Sequence, residues 1–155
     1  VGEFAAFLWE AWQQVGPDAP GFVGTTDELI RELTTRAAIV DRLGGPDRRM
    51  FLAWSGNRVV GFSATTRIDA ATVELAGIIV LQSLLGHGIG KALVTATVAS
   101  CRNEGYRRMI VQTETDNQRA IDFYETQGFT RIEHSVREEE RRVGQKFIFR
   151  WSTNY

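Results

Sequence analysis

Two stretches of this 155-residue chain carry side chains at spacings suited to chemistry. The first is Leu85-Gly86-His87-Gly88-Ile89-Gly90-Lys91, and the second runs from Asn117 to Phe129, NQRAIDFYETQGF. The first follows an apolar run, Val73 to Leu81, and opens an apolar-periodic stretch, which is the layout of a strand, a glycine loop and a helix start. Glycines let backbone approach a ligand closely, and a helix start presents N–H groups with no intrahelical partner. Such a turn favours a phosphate or pyrophosphate. The second stretch puts Tyr124 on a helix ending at Gly128. Together they predict a phosphate-bearing cofactor beside a phenol able to move a proton.

Two common phosphate loops fail on inspection. A Walker loop needs Gly, four residues, then Gly-Lys-Ser/Thr; here Ala92 follows Gly90-Lys91, and the place of the first glycine holds Leu85. The dinucleotide fingerprint Gly-x-Gly-x-x-Gly needs glycine at Lys91 if counted from Gly86, or at Leu93 if counted from Gly88.

The pattern resembles the GNAT superfamily of acyl-CoA N-acyltransferases. That family's loop reads Arg/Gln-x-x-Gly-x-Gly/Ala, usually five residues after a strand valine, and Val80 with Leu85 to Gly90 repeats this layout with both glycines. The family's later segment, Asn-x-x-Ala-x-x-Phe-Tyr-x-x-x-Gly-Phe, matches Asn117, Ala120, Phe123, Tyr124, Gly128 and Phe129. The resemblance is firm from about Met50 to Phe129 and looser on both sides. It departs at Leu85, where the family has Arg or Gln. It also departs at the start, where a helical pattern stands in place of a first strand.

The resemblance implies roles for particular residues. The pantetheine arm of acetyl-CoA would pair with backbone at Ile78, Ile79 and Val80. The pyrophosphate would sit on the N–H groups of Gly86, His87, Gly88, Ile89, Gly90 and Lys91, with His87 and Lys91 adding positive charge. Asn117 would reach the pantetheine arm or cap its helix. Tyr124 would donate a proton or hydrogen bond to the leaving sulfur, against the plainer reading of a half-buried aromatic with a satisfied hydroxyl.

Glu74, fourteen residues before Gly88, matches the base glutamate of the histone-acetylating branch. It is also the only acid in the apolar run, where an unpaired charge is costly; its alternative is a strand-end carboxylate facing water. In the branch that acetylates peptide N-termini, the base position corresponds to Gln112, which cannot take a proton. Glu114 and Asp116 share its strand parity and could bind a cationic amine, and His134 could relay a proton.

Nineteen acidic against eighteen basic side chains give no electrostatic case for nucleic acid or an anionic membrane. Cys101 is the only cysteine, so internal disulfides are excluded. Its apolar surroundings suggest a small buried hydrophobe, and a cytoplasmic location is expected. With two histidines and one cysteine, a His/Cys metal site has little to work with, so no metal is expected.

The elements that must position these groups follow from periodicity. Phe4, Phe7, Leu8, Ala11 and Val15 fall at helical spacing until Gly16-Pro17. Thr25 and Glu28 make a capping-box start for a second helix lined by Leu29, Leu33, Ala37, Val40 and Leu43. Met50–Trp54 and Arg58–Thr66 predict a hairpin turning at Ser55-Gly56-Asn57, followed by a central strand Val73–Leu81. A helix from Ile89 to Gly105, a strand Met109–Thr113, a helix capped by Asp116, and a hairpin of Phe129–Val136 with Gln145–Trp151 complete the chain. The expectation is a single domain over 1–155 with an α/β (α+β) GNAT fold. Its twisted sheet would be mixed but mostly antiparallel, with about six to seven strands flanked by four helices, the family's first strand missing or trimmed.

The expected activity is acetyl transfer from acetyl-CoA, as cosubstrate, to a primary amine of a small molecule, peptide or protein. A homodimer through the last strands is an ordinary expectation under this resemblance. The alternative is a non-catalytic acyl-CoA-binding sensor, which would share the glycine loop and differ at Tyr124 and the base.

Overall fold

The computed structural model describes residues 2–14, 44–132 and 146–152. The expected second helix, residues 25–43, and His134 lie outside these. Helix α1 (Gly2–Gln14) is amphipathic, and Phe4, Phe7, Leu8 and Ala11 are buried along one stripe. Strands β1 (Arg48–Ser55) and β2 (Arg58–Arg67) form an antiparallel hairpin around Gly56-Asn57, where Gly56 takes a φ of 58°. Then come β3 (Thr72–Val80), a 3₁₀ turn (Gln82–Leu84), α2 (Ile89–Asn103), β4 (Arg108–Glu114), α3 (Gln118–Thr126), β5 (Thr130–Ile132) and β6 (Lys146–Ser152). Among the described residues six strands lie in the order β1-β2-β3-β4-β6-β5, and of these neighbours only β3 and β4 run parallel. Within the described residues the strands and helices are of the types the sequence predicts, and the sheet is mixed and mostly antiparallel as expected. Among the described residues no helix is long and apolar enough to cross a membrane.

Two cores sandwich the sheet. On one face α1 lies across β2, with Phe62 edge-on to Phe4 at 5.1 Å and to Phe7 at 6.0 Å. On the other, Val73, Leu75, Met109 and Val111 meet Val94 and Cys101 of α2 and Ile121 and Tyr124 of α3. Gly61 allows α2 to come close, since a Cβ there would stand 3.1 Å from both Leu93 Cδ1 and the Ile79 carbonyl oxygen. The Thr97 hydroxyl donates to the Leu93 carbonyl at 2.7 Å. Its single proton being used, the Ser63 hydroxyl donates to it at 2.6 Å, locking β2 to α2 by a buried polar pair.

The feature that matters most for function is a bulge in β3. Thr65 pairs with Leu75 but Ala64 pairs with Gly77, so Ala76 is an extra residue. One added residue reverses the facing of everything beyond it. Before the bulge Val73 and Leu75 face α2 and α3; after it Ile78 joins that core while Ile79 packs with α1. Pairing with β4 covers only Thr72–Leu75, against Arg108–Val111. From Gly77 to Val80 the strand keeps β2 on one side and opens a gap towards the end of β4.

Candidate active site

The gap is one wall of a cleft of about 640 Å³. Gly77, Ile78 and Val80 line it from β3, the glycine loop and first turn of α2 line it from one end, and Asn117, Ala120 and Tyr124 line it from α3. The sequence put these segments about a strand apart, and the fold brings them together.

The loop is built so that backbone faces the cleft. Gly86 and Gly88 adopt φ of 83° and 79°, conformations that L side chains rarely take. Gly88 is the N-cap of α2, and among the described residues no side chain caps the helix or accepts from its first N–H groups. Gly90 is favoured for a different reason: a Cβ would sit a tight 3.3 Å from the ring of Phe123. The two motifs therefore touch directly. His87 does not line the cleft; its Nδ1 lies 3.1 Å and 3.2 Å from the carbonyls of Leu84 and Leu85, bracing the loop from within.

The α3 segment works through side chains. Asn117, rather than Asp116, is the N-cap: its Oδ1 accepts from the Ala120 N–H at 3.1 Å. The sequence offered both residues as caps, and the structure takes Asn117, whose oxygen falls three residues before the N–H it satisfies. At the other end Gly128, φ 90°, donates to the Glu125 carbonyl and Phe129 to the Tyr124 carbonyl, both at 3.0 Å. This is a Schellman stop, and it explains the Gly-Phe of the motif as architecture. Phe129 is thereby set against Tyr124, ring centroids 5.7 Å apart, with Phe123 on another side at 5.4 Å.

Tyr124 is 6% exposed. Burial pushes its phenol up to about 12, because the phenolate would lose its solvation. At neutral pH the group is a fixed hydrogen-bond donor. Cys101, equally enclosed, has its thiol pushed up to about 11 by burial, which removes it as a nucleophile.

Of the residues singled out from sequence, Ile78, Val80, Gly86, Gly88, Ile89, Gly90, Lys91, Asn117 and Tyr124 line this cleft, while Glu74, Ile79 and His87 do not. Glu74 alternates with Val73 and Leu75, so it points to the opposite face, where Gln112 Nε2 donates to its Oε1 at 3.2 Å. It is half-buried beside the pairs where β3 and β4 part. Arg119, Thr113, Phe123 and Gln127 also line the cleft and were missed. The signal for three of them was present: Arg119, Phe123 and Gln127 follow one helical stripe beside Ala120 and Tyr124. Arg119 and Lys91 are the charged lining residues, and both are cationic.

Residues 5–129 match the model of the Acetyltransferase (GNAT) family, and the chain belongs to that family. It is 35% identical over 100 residues to the mycothiol acetyltransferase of Geodermatophilus obscurus, covering 60% of this chain and 32% of that protein. To N-alpha-acetyltransferase 30 of Schizosaccharomyces pombe it is 29% identical over 91 residues, 56% of this chain and 61% of that one. The chain spans about a third of the length of the mycothiol acetyltransferases it matches. Its fold is shared with the PaiA N-acetyltransferase of Thermoplasma acidophilum, solved in complex with coenzyme A. That likeness has a TM-score of 0.77 at 16% identity and covers 98% of this chain and 92% of the other.

Proposed function

We propose that the chain is an N-acetyltransferase that moves the acetyl group of acetyl-CoA to a primary amine. The observation that carries this is the meeting, in one cleft, of an uncapped glycine-loop helix start, an open strand edge and a protonated phenol. The N–H groups from Gly86 to Lys91 hold the pyrophosphate, with Lys91 and Arg119 adding charge that attracts an anion. Backbone of Ile78 and Val80 takes the pantetheine amides along the gap, whereas Ile79, expected to share this role, is paired with β2. Held this way, the thioester meets the amine as if intramolecularly.

The neutral amine attacks the thioester carbonyl, a C–N bond forms, the C–S bond breaks, and the amine's proton passes to a base. Tyr124 donates a hydrogen bond to the departing thiolate. Full proton transfer is disfavoured, because a thiol ordinarily titrates near 8.5 and the phenol near 12. Glu74 is the proposed base, reaching the amine from the far face through the gap, directly or by water.

The relatives named for mycothiol and for N-alpha acetylation support an amine acceptor, either a small molecule or a peptide or protein. A cytoplasmic setting fits the lone buried thiol, and a homodimer is part of the same reading, testable by sedimentation. The deciding experiment titrates acetyl-CoA by calorimetry and follows thiol release with a panel of amines. Tight binding with no thiol release from any amine would favour the sensor reading instead.

A further inference from the structure

The glycine loop depends on a contact made from the other end of the chain. The 3₁₀ turn that leads into it starts after Leu81, which is fully buried and gives no side-chain cap. The first N–H groups of such a turn need acceptors. They find one 68 residues away: Gln14, the last residue of α1, accepts from the Gln82 N–H at 2.8 Å and from the Ser83 N–H at 3.4 Å through its Oε1. The amide cannot turn over freely, because its Nε2 donates to Glu10 Oε1 at 3.1 Å, and Glu10 is paired with Arg58 at the start of β2. Beyond the turn the bracing continues. Leu84 and Leu85 donate to the Leu81 and Gln82 carbonyls at 2.9 and 3.3 Å, and His87 is held to Leu84 and Leu85. From Gln82 to His87 the segment is tied down, and the next residue is Gly88 at the helix start.

We infer that Gln14 is a positioning residue for the acetyl-CoA loop: a borrowed N-cap by which α1 fixes the direction of the anion-binding N–H groups. This rests on the acetyl-CoA reading above. A side chain on a different element thus adds to the bracing that His87 and the turn supply within the loop.

The test compares two variants with the parent. Gln14→Met keeps length and helix propensity but removes the acceptor. The exchange Gln14→Glu with Glu10→Gln keeps an acceptor at 14 and restores a donor at 10. Acetyl-CoA is titrated by calorimetry, and amide hydrogen exchange is followed at Gln82, Ser83 and Gly86 to Lys91, with β3 as internal reference. Loss of a cap weakens the ordered state by a factor of roughly three to ten. Gln14→Met is therefore expected to bind acetyl-CoA three- to tenfold more weakly, with faster exchange in the loop and unchanged protection in β3; the double exchange should restore both. Parent-like affinity and loop exchange in Gln14→Met would overturn the inference, as would a loss the double exchange fails to recover. If the parent itself binds no acetyl-CoA, the functional reading falls, and loop exchange in the two variants still decides whether Gln14 positions the loop.

Discussion

The glycine loop and the α3 segment line one cleft and meet where Gly90 lies against Phe123, yet their sequences are constrained in opposite ways. In the loop, Gly86 and Gly88 are fixed by φ, and Gly90 by the ring of Phe123 behind it. What the loop offers a ligand is backbone. In α3 the ends are fixed by Asn117 and by the Gly128-Phe129 stop, and what the helix offers is a side chain, Tyr124, gripped by two aromatic rings. Backbone sites tolerate side-chain changes that leave φ alone. Side-chain sites tolerate little, because the one reacting atom sits on the residue exchanged.

The largest expected effect is therefore on α3. Tyr124→Phe should leave acetyl-CoA affinity intact and lower turnover by roughly a hundredfold, the ordinary cost of losing one donor to developing charge. Because the phenol titrates near 12, the rate of the parent should show no fall attributable to Tyr124 below about pH 10. Native stability gains from this raised value: its contribution is complete below the unfolded pKa near 10 and is lost as pH rises towards 12. Turnover in the phenylalanine variant equal to the parent's would reduce Tyr124 to packing.

On the loop side, Gly88→Val forces a β-branched residue into a left-handed conformation at a cost of about 1–3 kcal/mol. Since no heavy atom lies within 4 Å of the added Cβ, the strain is conformational and the fold should survive. Acetyl-CoA affinity should fall about tenfold or more, read by calorimetry, with circular dichroism unchanged. Unaltered affinity would remove the helix start from the binding site.

How far these features could be read from the chain depends on how local their causes are. The loop, α2 and α3 were legible because glycine, helical spacing and a capping residue act within a few positions. The shift of the cap from Asp116 to Asn117 is the scale of error expected where two adjacent residues can both cap. The gap was not legible. Nothing about Ala76 marks it as a bulge, and the run Val73–Leu81 looks like one uninterrupted strand. Its consequence, that Glu74 faces away from Tyr124 while Ile78 faces towards it, follows only from the register with β2. The cap from Gln14 was equally hidden, being set by how α1 lies across the sheet.

A smaller effect is expected at Glu74, and it probes the far side of that gap. Glu74→Gln keeps size and can still bond to Gln112, so folding should be unaffected. If the carboxylate accepts the amine's proton, the rate near neutrality should drop about tenfold and recover in alkaline buffer, where more amine is already neutral. A variant that follows the parent across the pH range would hand the role to Glu114 or to water.

The smallest effect is the most direct test of the comparison. Leu85 stands where the family carries Arg or Gln, and it lines the cleft half-buried. If the loop binds through backbone, Leu85→Ala removes apolar contact but no donor. Acetyl-CoA affinity should then change by less than about threefold, since partial exposure limits what the side chain contributes. Leu85→Arg should improve affinity modestly, because a guanidinium at that place adds to the charge of Lys91 and Arg119, and the gain should shrink as salt is raised. Loss of binding in the alanine variant would mean that this wall also works through a side chain. The division between a backbone wall and a side-chain wall would then fail.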